Sequence, residues 1–196
     1  MKKFLLILLA STVSFVAICF AVFYSYKSFV LEKLRQKDNH IKEVWSSLYK
    51  ESLERTLVIE NLINISNCDR SSIDSTIVKN KSNRDPNKVE ELWNLEYTTN
   101  KAYIQLGKCF EGKSNTKIKT DSLKLNAEKL NRIVDEYNAN VLDFNKYYSI
   151  FPNFMFGSQE GFRRKKFFYL KYGEDNEEYY KQKKKTDKWI ETGKWE

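Results

Sequence analysis

Two prolines and six glycines in 196 residues are too few for the turns that a β-rich domain of this size needs. Their scarcity, beside many Lys, Glu, Leu and Asn, predicts long helices. A single histidine, His40, has no second imidazole to act with. H-E-x-x-H, G-x-S-x-G and Walker-type glycine loops are all missing, and paired acidic residues occur only as helix-face charges. With no nucleophile, base or pocket legible, an enzyme is not expected, and no catalytic residue, metal ligand or cofactor is assigned. Of three cysteines, Cys19 lies in an apolar run, which leaves Cys68 and Cys109. Their spacing fits no zinc or C-x-x-C pattern; two buried thiols are expected, and a disulfide would require an oxidising compartment.

Charge is missing altogether from Phe4 to Tyr26, 23 residues preceded by Lys2-Lys3 and followed by Lys27. As a helix this run reaches roughly 35 Å, enough to cross a hydrocarbon core of about 30 Å with some tilt. A cleaved signal peptide has a shorter apolar core and a small-residue cleavage site, and none closes this run. A lipoprotein signal would need a small residue before Cys19, where Ile18 stands. A retained anchor over residues 1–27 is the expectation, with the lipid bilayer as first partner. Lys27, Lys33, Arg35, Lys37 and Lys42 outnumber Lys2 and Lys3, which favours a cell-membrane protein with its C-terminal domain on the cytosolic side.

What is abundant is helical periodicity. Leu123, Ala127, Leu130, Val134, Tyr137, Val141, Phe144, Tyr148 and Phe151 alternate three- and four-residue steps and share one helix face. Thr120 or Asp121 is the expected cap, and Pro152 the stop. Ile41, Trp45, Leu48, Ser52, Arg55, Ile59 and Leu62 repeat the pattern in a helix that continues from the anchor and ends near Asn67–Ser72 or frays to Asn80. Arg55 in that stripe implies either a buried ion pair or a side chain snorkelling to water, the latter slightly favoured. A third, weaker stripe of Val89, Leu92, Glu96, Thr99, Tyr103, Leu106 and Phe110 follows the Asp85-Pro86 turn and closes at Gly112–Asn115. The fold class is therefore all-α: an N-terminal transmembrane helix, then an antiparallel three- to four-helix bundle with long helices over residues 28–168. The fourth position falls to Ile73–Lys79 or to the C-terminal tail.

The net charge is +8, and half of it sits in residues 163–196, with 11 Lys/Arg against 7 Asp/Glu. Aromatics beside basic runs can bind nucleic acid, but no RNP-like or helix-turn-helix pattern accompanies them, and nucleic acid is not expected. Contact with an anionic leaflet is the alternative. Residues 169–196 read as a charged, solvated, flexible tail.

Three pairs ride on the long stripe at seven-residue spacing: Tyr137-Asn138, Phe144-Asn145 and Phe151-Pro152. With Asn131-Arg132-Ile133 before them and Gly161-Phe162 after, they resemble the signature of the LemA family of bacterial membrane proteins. Trp45, Arg55, Ile59, Asn61 and Leu62 resemble that family's first helix. Glu54, Leu57 and Glu60 depart from it where an arginine, an aspartate and a proline are usual, which implies a straighter helix. The resemblance covers about residues 4–168. It implies an anchored helical bundle acting as a scaffold or interaction protein with a protein partner, itself a candidate membrane protein, and it brings no catalytic residue. Homo-oligomer formation is left open. A sensory or ligand-binding bundle on the outer face is the alternative. Asn131, Asn138 and Asn145 flank the apolar seam, so their amides are expected to bond to a neighbouring helix and set register, or else to line a partner groove. The candidate partner face is thus Trp45, Arg55, Asn61, Asn131, Tyr137, Asn138, Phe144, Asn145, Phe151, Pro152, Gly161 and Phe162.

Overall fold

A computed structural model describes residues 2–65, 89–110 and 117–193. Among these residues there are five helices and no strand: α1 Lys2–Ile65, α2 Val89–Phe110, α3 Lys117–Ser149, α4 Asn153–Gln159 and α5 Glu177–Thr192. The chain is all-α, as its lack of turn residues implies. The expected turns at Asp85-Pro86 and Gly112–Asn115, the end of the first helix beyond Ile65, the Ile73–Lys79 stretch and Cys68 lie outside the described residues. So does the side chain of Cys109. α3 begins at Lys117, ahead of the expected cap at Thr120 or Asp121.

Contacts divide the chain into two compact units, Met1–Asn39 with Asp143–Arg164, and His40–Leu142 with Lys165–Glu196. These boundaries differ from an anchor, a bundle and a separate tail, because the chain beyond residue 164 returns to the bundle.

In the first unit, α1 is exposed on every described side from Phe4 to Tyr26. An 18-residue window there reaches a mean hydropathy of 2.6 with none of it buried. This helix is long and apolar enough to span a membrane. Past it, Val30, Leu31 and Leu34 are buried with Phe144 and Phe156. Gly157 is required there, since a Cβ would lie 2.9 Å from Leu34 and 3.0 Å from the Tyr148 ring.

In the second unit the stripes meet as their periodicity dictates. At one end Ile59, Leu62 and Ile63 of α1 pack on Ala102 and Leu106 of α2 and Leu123 of α3. At the other, Trp45 lies 5.3 Å from the ring of Tyr137 and 5.7 Å from that of Phe168. Contact order sets the directions. Glu51 pairs with Lys129 and Trp45 with Tyr137, so α3 runs antiparallel to α1. Ser52 bonds to Glu96 and Arg55 to Asn100, so α2 runs alongside α1 rather than against it. That departs from simple up-and-down order, and the α1–α2 connection of residues 66–88 is correspondingly long.

The tail is the clearest correction. Residues 162–171 have no regular secondary structure, and α5 follows them. Phe168, Leu170 and Tyr172 are buried, with Tyr169 and Lys171 between them only half-buried. This is the two-residue alternation of an extended chain lying on a core. The tail therefore enters the bundle instead of remaining solvated. Even the basic run contributes, because Lys183 lies 5.2 Å from the centre of the Trp93 ring and 2.6 Å from Asp187.

Candidate functional site: a side-chain-clamped strap and a buried arginine

An extended segment inside a helical bundle has a chemical problem. Its peptide N–H and C=O groups need partners once buried, and helices have already used their own. Only side chains carrying both a donor and an acceptor can stand in for a neighbouring strand, and the Asn amide does so with a short stem.

The segment from Lys166 to Glu174, here called the strap, is held in this way. Phe168 N–H donates to Asn138 Oδ1 at 2.8 Å, and Asn138 Nδ2 donates to Phe168 C=O at 2.9 Å. Asn131, one heptad earlier, repeats the exchange with Tyr172, at 2.8 Å and 3.1 Å. From α2, Asn100 accepts from Gly173 N–H at 2.8 Å and donates to Glu174 C=O at 2.9 Å. Asn176 closes the following turn by bonding both Lys171 N–H, at 2.6 Å, and Lys171 C=O, at 3.0 Å. The Tyr137 hydroxyl donates to Lys166 C=O at 3.2 Å, and the Trp93 indole N–H donates to Tyr169 C=O. The strap thus runs antiparallel to α3 and alongside α2. Seven residues of α3, about 10.5 Å of rise, match four of the strap, as an extended chain inclined to the helix would require.

These bonds correct the expectation that Asn131 and Asn138 bond to a neighbouring helix. Seam-flanking amides on α3 face the groove toward α2, and the strap fills that groove. Register is still what they fix, but it is the strap's register. A slip of one residue would bury Tyr169 and Lys171 in place of Phe168, Leu170 and Tyr172.

Beside the strap lies Arg55, which is fully buried (0 % exposed) and does not snorkel. Its guanidinium bonds to Asn100 Oδ1 at 3.3 Å and Asn126 Oδ1 at 3.5 Å. It also lies over the rings of Tyr103, at 4.6 Å, and Tyr172, at 5.1 Å. Burial lowers its pKa, and Tyr172, Glu96 and Tyr103 oppose that shift electrostatically. Glu96 accepts the Ser52 hydroxyl in the same buried layer. Glu51 accepts from Asn126 at 2.7 Å and pairs with Lys129, whose pKa is raised by that hydrogen bond. The polar layer and the strap share two residues: Asn100 bonds to both, and Tyr172 belongs to the strap and packs on Arg55.

The other expected site residues divide between the two units. Trp45 and Tyr137 join the strap through Phe168, and burial raises the pKa of the Tyr137 phenol. Phe144 and Asn145 are fully buried in the first unit, with Phe144 6.3 Å from Phe162. Gly161 has φ +83°, the left-handed conformation that favours glycine at this turn. Pro152 is half-buried after a cis peptide bond. Two do not join any site. Asn61 is on the exposed face of α1, and Phe151 is 73 % exposed because α3 ends at Ser149, before the ninth stripe position. Sequence reasoning missed Asn100, Asn126, Glu51 and Asn176. A signal for the polar layer was present, since Ser52 and Arg55 interrupt one stripe and Glu96 and Thr99 the other.

Between α3, the strap and α5 there is a cavity of about 310 Å³ lined by Val134, Asp135, Tyr169, Lys171, Tyr179 and Gln182 among others. Among the described residues no group of three or more His, Cys, Asp or Glu side chains is placed to hold a metal ion. No protein-family model, curated protein or solved structure matches the chain.

Proposed function

We propose that this is a single-pass protein of the cell membrane whose helical bundle, on the cytosolic side, serves as a non-catalytic scaffold or interaction module of the LemA type. One observation carries the reading. From Phe4 to Tyr26, α1 is apolar and exposed all round, which in water would be unfavourable and in a bilayer is satisfied by lipid. The same helix then acquires buried positions from Val30 onward. The polar side chains of the bundle interior supply a second support, because Asn131, Asn138, Asn100, Glu51 and Arg55 are engaged in holding the chain.

Membrane fractionation with an alkaline carbonate wash tests the anchor. The full-length chain stays in the pellet, and release into the supernatant contradicts the reading. The side is tested by an impermeant maleimide on intact cells carrying Glu128→Cys, at an exposed position, with the native cysteines replaced by serine. Labelling after lysis alone is expected, and labelling of intact cells contradicts a cytosolic bundle. Crosslinking in the native membrane should capture a protein partner.

A second reading, a ligand-binding bundle on the outer face, draws on the 310 Å³ cavity beside the strap. It requires labelling of intact cells in the same assay.

A further inference from the structure

We propose that the turn carrying Ile150, Phe151, Phe154 and Met155 dips into the interfacial layer of the bilayer beside the anchor, as a second membrane contact of this chain. The proposal rests on the reading of residues 4–26 as membrane-spanning and adds to it a separate element, a distinct depth and named residues.

The path of the chain along α1 carries the inference. Asp143 of α3 pairs with Lys37. The chain then moves toward the N-terminal end of α1, where Tyr148 and Gly157 meet at the level of Leu34. It goes further, to Phe156, whose ring lies 5.5 Å from Phe23 and 6.3 Å from Tyr26. It climbs back through Gln159, 3.4 Å from the Lys27 ammonium, and Glu160, 3.8 Å from Arg35. Residues 150–156 are therefore the tip of a descending and returning loop. That tip reaches α1 three residues inside the last residue of the charge-free run, about 4.5 Å of helix rise. If residues 4–26 cross the hydrocarbon, Phe156 stands at the boundary between acyl chains and headgroups.

What the tip exposes fits that depth. Ile150 is 56 %, Phe151 73 %, Phe154 43 % and Met155 42 % exposed, four large apolar side chains within six residues, with the rings of Phe151 and Phe154 6.3 Å apart. Such a cluster in water is unfavourable, and at the headgroup level the same side chains enter the acyl boundary. The surrounding charge is complementary to anionic lipid. Between 27 and 39 and between 143 and 164 the unit carries 7 Lys/Arg against 4 Asp/Glu, with Lys33, Arg35 and Arg163 exposed. Phe156, Asn153 and Gly157 hold the tip in place from behind. Phe156 packs on α1, and Asn153 Nδ2 donates to Tyr147 C=O at 2.9 Å.

The test uses the full chain with its native cysteines replaced by serine. Single cysteines at Phe151, Val13 and Asn39 carry an environment-sensitive fluorophore, in vesicles of phosphatidylcholine and phosphatidylglycerol with a nitroxide on the acyl chains, near the headgroup in one set and near the chain ends in another. Asn39 is exposed on α1, about 20 Å of helix rise past Tyr26, and serves as the aqueous control. The expected result is a blue-shifted emission and nitroxide quenching at both Val13 and Phe151, with neither at Asn39. Quenching at Val13 with water-like emission at Phe151 overturns the inference and leaves the anchor standing. Absence of quenching at both positions contradicts the anchor reading and the inference together.

Discussion

Asn138 and Phe168 exchange both hydrogen bonds of a strand pair, 30 residues apart in sequence, with a side-chain amide in place of one peptide. Asn131 does the same for Tyr172. The Asn at heptad spacing on α3 is thus an edge on which an otherwise unpaired segment is laid. Because Phe168 offers both a donor and an acceptor, the amide has only one orientation that satisfies the pair.

Replacing Asn138 with Ala leaves Phe168 N–H and C=O buried with no partner in its place. At about 1–3 kcal/mol for each of the two buried groups left unsatisfied, the loss should be about 2–6 kcal/mol. Asn131→Ala should cost a similar amount. The double variant should fall short of the sum, since one detached strap can be lost only once. Asn138→Leu should also destabilise, because added apolar surface does not satisfy the Phe168 peptide. Asn61→Ala, on the exposed face, should change stability by less than about 0.5 kcal/mol. Denaturant unfolding in detergent micelles checks all of these, and a more stable Asn138→Leu protein contradicts the clamp.

Arg55 and Glu96 should behave as a coupled pair. Arg55→Met removes the guanidinium from a layer in which Glu96 remains buried, and breaking a buried ionic arrangement from one side costs about 3–5 kcal/mol. Replacing both, as Arg55→Met with Glu96→Leu, should recover a large part of that loss. Fully additive losses in the double-mutant cycle would contradict the coupling. Arg55→Lys should not rescue, because a lysine keeps the charge but loses the planar contacts over Tyr103 and Tyr172.

Gly157→Ala sets two effects against each other. Alanine is the better helix former by roughly 0.5–1 kcal/mol, but overpacking costs about 1–3 kcal/mol. With a Cβ 2.9 Å from Leu34 and 3.0 Å from Tyr148, the clash outweighs the gain in helix propensity. Thermal unfolding should register a net loss. A stabilised Gly157→Ala protein would mean that α4 does not approach Leu34 this closely.

The buried phenol of Tyr137 gives an alkaline signature. Its pKa in the folded chain is raised by burial above the ordinary value near 10, so the unfolded chain releases this proton first. The stabilisation is complete below about pH 10 and is lost as pH rises toward the folded value. Burial also raises the pKa of Tyr169, and that shift acts in the same sense. Unfolding free energy should therefore decline above about pH 10, and less steeply in Tyr137→Phe. Phenolate absorbance should show Tyr137 titrating after the exposed tyrosines; titration together with them contradicts its burial.

The helical part of this fold was legible because its signal is periodic. Seven of the nine stripe positions, Leu123 through Phe144, are buried, and the pattern fails only where α3 ends at Ser149. Tyr148 is half-buried, and Phe151 stands beyond the helix, where an i+3 or i+4 step no longer returns to the same face. The strap was not legible. Its alternation of Phe168, Leu170 and Tyr172 is brief and follows four basic residues, so it resembles a solvated tail. Its partners, Asn100, Asn131 and Asn138, lie 30 or more residues away, and no local pattern links an amide to a distant peptide group. The heptad spacing singled out Asn131 and Asn138, while the segment they bond to could be found only in three dimensions. For Arg55 the sequence posed the right alternative, and burial decided it against snorkelling.

Amide hydrogen exchange at Phe168 and Tyr172 tests the clamped strap most directly. Held by Asn138 and Asn131, both amides should exchange about as slowly as the core amides of α3, and Asn138→Ala should accelerate Phe168 sharply. Exchange of Phe168 and Tyr172 in the wild-type chain at the rate of unprotected peptide would contradict it.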